Sequence, residues 1–159
     1  RFIFERIGYS AKMNELEAAV GLGSLDIYQD ILEKRRKNLI YLTEKFKKFE
    51  PYLTTIQEEE HEKIGPHAFP IILKENVPFN RNQLVDYLEK AGVETRNLFS
   101  SMPTQHRGFD FLGHKLGEFP EAEYIGNNGL HIGCHQDLED EHIDYFINIV
   151  DRFLLEYVK

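Results

Sequence analysis

Cysteine is almost missing from this chain, basic residues are outnumbered, and no long apolar run occurs; each shortage closes off a class of protein. A single cysteine, Cys134, leaves no internal disulfide and fits a reducing compartment, so a cytoplasmic location is expected. No apolar stretch approaches the roughly 20 residues of a membrane-spanning helix. Nineteen Lys and Arg against 27 Asp and Glu give a formal charge of −8. That balance opposes non-specific nucleic-acid binding, and an anionic ligand needs a local basic pocket. Also missing are the G-x-x-x-x-G-K-S/T phosphate loop and the G-x-S-x-G nucleophile elbow. The chain opens on Arg1, Phe2, Ile3 and Phe4 with neither an initiator methionine nor a signal-peptide layout, which reads as a piece of a longer sequence.

What is present suits one globular domain. A length of 159 residues with 42% hydrophobic and 29% charged side chains is enough for a sizeable core. Asn14 and Glu17 form an N-x-x-E capping box, which predicts a helix starting there. A second amphipathic helix is expected from Tyr28, Ile31, Leu32, Leu39, Leu42, Phe46 and Phe49, with Arg35 filling a gap in the stripe, and it stops before Pro51. The segment from Leu53 (LTTIQ) and the run His67 to Leu73 (HAFPIIL) read as strands, and Pro70 suits a sheet edge. Between them, Glu58 to Lys63 reads as a charged, mobile connection. Asn80 and Gln83 cap another helix that Gly92 closes. Val93 to Phe99 is expected as a strand and Ser100 to Gly117 as irregular loop, followed by a short helix over Pro120 to Gly126. The strand GLHIG (Gly129 to Gly133) and a last helix from about Glu139 to Val158 complete an α/β (α+β) arrangement, with helices covering one face of a small, largely antiparallel sheet.

Several places carry candidate chemistry. Ser10, Lys12 and the free N–H groups near Asn14 lie at a helix start, where anions bind well; an ordinary capped helix is the plainer alternative. His131, Cys134 and His135 are of the types that bind zinc. On a strand, however, His131 and Cys134 point apart, so a buried cysteine beside polar loop histidines is the simpler state and no metal site is assigned. Arg96, on a strand leading into a long loop, has the planar fork that suits phosphate or carboxylate. Arg35 either snorkels from the core or faces a ligand. The glycines of EAAVGLGS cost a helix roughly 1 kcal/mol each, which calls for close packing in return.

The stretches GYSAKMNELEAAVGLGSLD (8–26), EKRRKN (33–38), PFNRNQLVDYLEKAGVETRNLF (78–99), FPEAEYIGNNGLHIG (119–133) and DEHIDYFINIV (140–150), in this order, resemble the DegT-type sugar-nucleotide aminotransferases. These are fold-type I enzymes that use pyridoxal phosphate (PLP). The resemblance covers the C-terminal part of a family chain. It implies that residues 1–50 are a leading loop and long helices linking to a large domain, and that 51–159 form the small α/β domain. The Schiff-base lysine lies in that large domain, so no catalytic residue is assigned here and the isolated chain is expected to be inactive.

By the same resemblance, Ser10 and Lys12 lie near the cofactor phosphate, Ser10 standing where the family has asparagine. Arg96, Asn97 and Ser100 lie near the nucleotide-sugar substrate, and the full-length enzyme is expected to be a homodimer, with no nucleic acid or membrane as partner. The small residues Ala18, Ala19, Gly21 and Gly23 are expected at a domain and subunit junction. The function implied is transamination of a nucleotide-linked keto sugar in polysaccharide or cell-envelope biosynthesis. Two alternatives stand beside it: a 3-dehydratase of the same family using pyridoxamine phosphate (PMP), and a non-catalytic binding or regulatory domain.

Overall fold

The computed structural model describes residues 13–98 and 102–158. Helix α1 (Glu15–Phe46) starts at the expected capping box: Asn14 Oδ1 accepts from the Glu17 N–H at 2.9 Å and Glu17 returns the bond to Asn14 N–H at 3.0 Å. The two helices expected here are one helix of 32 residues, because nothing between Gly23 and Tyr28 breaks the backbone ladder. Two glycines weaken a helix, but at roughly 1 kcal/mol each they do not end one.

Beyond a 3₁₀ turn at Lys47–Phe49 come β1 (Leu53–Thr54), β2 (Ala68–Leu73), α2 (Arg81–Lys90) and β3 (Thr95–Asn97). The segments expected as strands from Leu53 and from Val93 thus keep only two and three paired residues. Helix α3 (Pro120–Asn128), β4 (Gly129–Gly133) and α4 (Asp140–Tyr157) follow. The loop before α3 contains two 3₁₀ segments, Pro103–Gln105 and Arg107–Leu112.

The sheet is antiparallel throughout, in the order β1-β2-β4-β3. Side chains alternate along each strand, so Phe69, Ile71 and Leu73 of β2 and Leu130 and Ile132 of β4 are buried. Onto this face pack Leu42 and Phe46 from α1, Leu84 and Leu88 from α2, and Ile143, Phe146, Val150 and Phe153 from α4. Phe46 meets Phe49 and Phe69 edge to face, each at a centroid distance of 5.2 Å.

Pro70 lies in an inner strand of the sheet yet costs no ladder bond. Residues on an antiparallel strand turn N–H and C=O to the same side, and the Pro70 carbonyl accepts from Thr55 Oγ1 at 2.6 Å. Its missing N–H therefore faces β1, which pairs only with Ile72 and Leu73. Locally, Pro70 is at an edge.

Helices α1 and α4 lie side by side and run in the same direction. Lys37 pairs with Asp140, Tyr41 and Lys45 with Asp144, and Lys48 with Asp151. The segment Glu58 to Lys63 is pinned: the Arg36 guanidinium grips the Glu58 carboxylate through both oxygens, at 2.7 and 2.8 Å, and donates to Ile64 C=O at 2.7 Å. At the sheet's free edge, Glu89 Oε1 accepts from Thr95 N–H at 2.6 Å and from Thr95 Oγ1 at 2.7 Å. Among the described residues, no helix is long and apolar enough to cross a membrane.

Candidate functional site

Strand β3 sets the site. Arg96 pairs with His131 of β4, and His131 lies between buried Leu130 and Ile132, so both side chains project from the sheet face opposite the core. Residues directly opposed on antiparallel strands have Cβ atoms roughly 4.5–5.5 Å apart. His67 precedes β2 and raises the positive potential at His131: burial, then the charges of His67 and Arg96, hold the His131 imidazole below its ordinary range. Arg96 also pairs with Glu94 at 2.6 Å, both side chains being about three-quarters exposed (72% and 74%).

Where β3 ends, β4 runs on, since the β3 pairing closes at Thr95 with Ile132 while Gly133 still pairs with Ala68 of β2. The gap opens into a groove of about 940 Å³, within the usual range of ligand sites. The turn Gly92 to Glu94 and the first turns of α4 wall it, with Tyr145 on one side; His67, Arg96 and His131 border it, as do the acidic Glu94, Asp137 and Glu141.

Of the residues singled out in the sequence, Arg96 lies on this groove. Asn97 is exposed and pairs with Leu130, so the pleat sends its side chain to the face opposite that of Arg96. Ser10, Lys12 and Ser100 lie outside the described residues. His67 escaped the sequence reading; only the pairing of β2 with β4 brings it near His131, and no local spacing signals that.

The two open readings of Arg35 resolve in favour of an internal role. Its Nε donates to Gln136 Oε1 at 2.9 Å and an Nη to Pro66 C=O at 3.3 Å, tying α1 to the segments flanking β2 and β4. Cys134 is fully buried, its thiol 3.6 Å from Arg35 C=O, and burial pushes that thiol up to about 11. His135 Nδ1 accepts from Asp137 N–H at 3.3 Å. Among the described residues, no three His, Cys, Asp or Glu side chains converge to hold a metal ion.

The long loop after β3 is organised by Glu123, which the sequence reading passed over. Its Oε1 accepts from Gln105 Nε2 and from Gly117 N–H, both at 2.7 Å. The Gln105 bond and then the backbone bonds of Gly117 and Phe119 hold the carboxyl below its ordinary range. Such a carboxylate, accepting several donors, ties together a loop whose regular structure is two 3₁₀ segments.

Residues 1–151 match the model of the DegT/DnrJ/EryC1/StrS aminotransferase family. Lipopolysaccharide biosynthesis protein RfbH of Salmonella typhimurium is 29% identical over 96% of this chain and 35% of its own length. GDP-4-keto-6-deoxy-D-mannose 3-dehydratase of Yersinia pseudotuberculosis is 33% identical over 95% of this chain and 38% of its own. The chain thus spans little more than a third of these relatives. Among solved structures, a GDP-4-keto-6-deoxymannose-3-dehydratase with bound GDP-perosamine superposes with a TM-score of 0.82 at 30% identity, over 94% of this chain and 38% of that one. An aminotransferase from Psychrobacter cryohalolentis shares the fold, with a TM-score of 0.85 at 20% identity over the whole of this chain and 43% of its own.

Proposed function

Because the chain belongs to the DegT/DnrJ/EryC1/StrS aminotransferase family, we propose that it is the C-terminal part of a PLP- or PMP-dependent enzyme acting on a nucleotide-linked keto sugar. The observation that carries this reading is a family match over nearly the whole chain, on a fold shared with enzymes of that kind. Within it, Arg96, Asn97 and Ser100 contact the nucleotide sugar, and Ser10 and Lys12 lie near the cofactor phosphate.

No lysine lines the groove, so nothing in it forms a Schiff base with PLP, and no step of the reaction is drawn through these side chains. When bound, such a cofactor supplies the electron sink for the reaction. The rest of a family-length chain would hold it, and this chain alone does not transaminate. The full-length protein would be a homodimer.

Two reactions fit, transamination and removal of the 3-hydroxyl. Relatives named as GDP-4-keto-6-deoxy-D-mannose 3-dehydratases are 33% and 34% identical, whereas those named as altrosamine transaminase and GDP-perosamine synthase are 27–28% identical. Removal of the 3-hydroxyl is therefore placed beside transamination as an equal candidate. The deciding test is incubation of the full-length gene product with GDP-4-keto-6-deoxymannose, PLP and glutamate, with the products read by mass spectrometry. An amino sugar marks transamination, a 3-deoxy sugar marks dehydration, and unchanged substrate across a panel of nucleotide-linked keto sugars would defeat both.

A further inference from the structure

We propose that the loop of residues 102–117 in one copy of this chain docks on the N-terminal half of α1 in a second copy, apolar side chains against an apolar helix face and basic side chains against acidic ones. The contact rests on the homodimer reading above and gives it surfaces. A dimer that every variant below leaves intact would keep that reading and remove this contact.

Across residues 15–33, α1 carries five carboxylates and no Lys, Arg or His. Leu16, Val20 and Ile27 follow one another at spacings of four and seven, so they share a helix face, and all three are exposed. Asp26, Asp30 and Glu33, three or four positions apart, form an acidic ridge along the same helix. The loop is the converse. In a chain of net charge −8, its Arg107 and Lys115 outnumber its one carboxylate, Asp110. Its polar groups are engaged inward: the Gln105 amide donates to Lys115 C=O at 2.6 Å and to Glu123, which also holds the Gly117 N–H. Yet Phe111 is 81% exposed and Leu116 73%, with Phe109 and Leu112 exposed as well. A loop fixed by its own hydrogen bonds presents such side chains with little further ordering, which favours association. Both patches stay exposed within one copy, so neither covers the other. An anionic membrane would attract the loop and repel the helix, whereas a second copy offers each patch its complement in charge and in apolar surface.

The experiment is sedimentation velocity of the 159-residue chain over a concentration series. Association is expected, with Phe111→Ser, Arg107→Glu and Asp26→Lys each weakening it about tenfold. All three alter exposed side chains, so the fold is retained, which circular dichroism checks. Mixing the Arg107→Glu chain with the Asp26→Lys chain should restore association, because each contact between unlike chains again joins opposite charges; a folding defect would not be repaired in this way. A chain that is monomeric at every concentration, association that none of the variants weakens, or a mixture no stronger than its components would overturn the contact. So would a full-length gene product in which Val20→Cys and Phe111→Cys resist thiol labelling at dilutions where it is monomeric, since the rest of that chain then covers both patches.

Discussion

Asn38 is the buried polar side chain among the described residues, 3% exposed, and its amide donates to His135 C=O at 2.7 Å and Leu138 C=O at 3.2 Å. Asn38→Ala strands both carbonyls, so a loss of about 1–3 kcal/mol is expected in urea unfolding; an unchanged midpoint would count against the clamp. Gly129 is equally constrained, because a Cβ there falls 2.4 Å from the Ile125 carbonyl and 2.4 Å from Leu98 Cδ1. Gly129→Ala should cost about 1–3 kcal/mol through overpacking, read by the same method. For Glu58, the Arg36 guanidinium and then the Ile64 N–H lower the carboxyl from 4.5 to about 2. A depressed carboxylate stabilises the fold above its ordinary range, and that share is lost as the pH falls from about 4.5 towards 2. Carbon NMR of the Glu58 carboxyl should titrate near that lower value and move back up in Arg36→Gln. None of these three roles was visible in the sequence, since the partners of Asn38 lie about a hundred positions away and a glycine inside NNGL looks like any other.

Among the elements, α1 is one continuous helix that lies in two different environments. From Asn38 onward its inner face is buried against β2 and α4, whereas Leu16, Val20, Leu22 and Leu25 are between 66% and 80% exposed. Amides of residues 15–30 should therefore exchange with deuterium much faster than those of residues 38–46, because few packed contacts oppose local opening. Uniform protection along α1 would contradict this. Both capping boxes, the glycine after α2 and the limits of β4 were legible locally, for each depends on residues within three or four positions of one another. The continuity of α1 was not, because the apolar stripe read from Tyr28 onward left the capping box at Asn14 to a separate helix. Within that stripe, the gap that Arg35 fills is where its side chain reaches Gln136 and Pro66. Of the stripe, Leu39, Leu42, Phe46 and Phe49 are in the core, whereas Ile31 and Leu32 are half-buried and Tyr28 is exposed.

At the scale of the whole molecule, the N-terminal half of α1 carries exposed apolar side chains, and Cβ atoms added at Gly21 and Gly23 would meet none of the described atoms within 4 Å. Exposed apolar surface of that extent drives association, so light scattering should show the apparent mass rising with concentration, and a constant monomer mass would refute it. The family resemblance was legible because its motifs survive in order, while the groove was not, since it depends on three strands meeting. The sheet itself offers the opposite kind of surface. An uncovered edge strand is the usual seed of amyloid-like stacking, yet here the outward N–H of Thr95 already donates to the Glu89 carboxylate. Any strand arriving from another molecule must first expel a negative charge that the rest of this acidic chain would repel again. The protein thus has one end with its apolar side chains exposed and one flank closed to fibre growth.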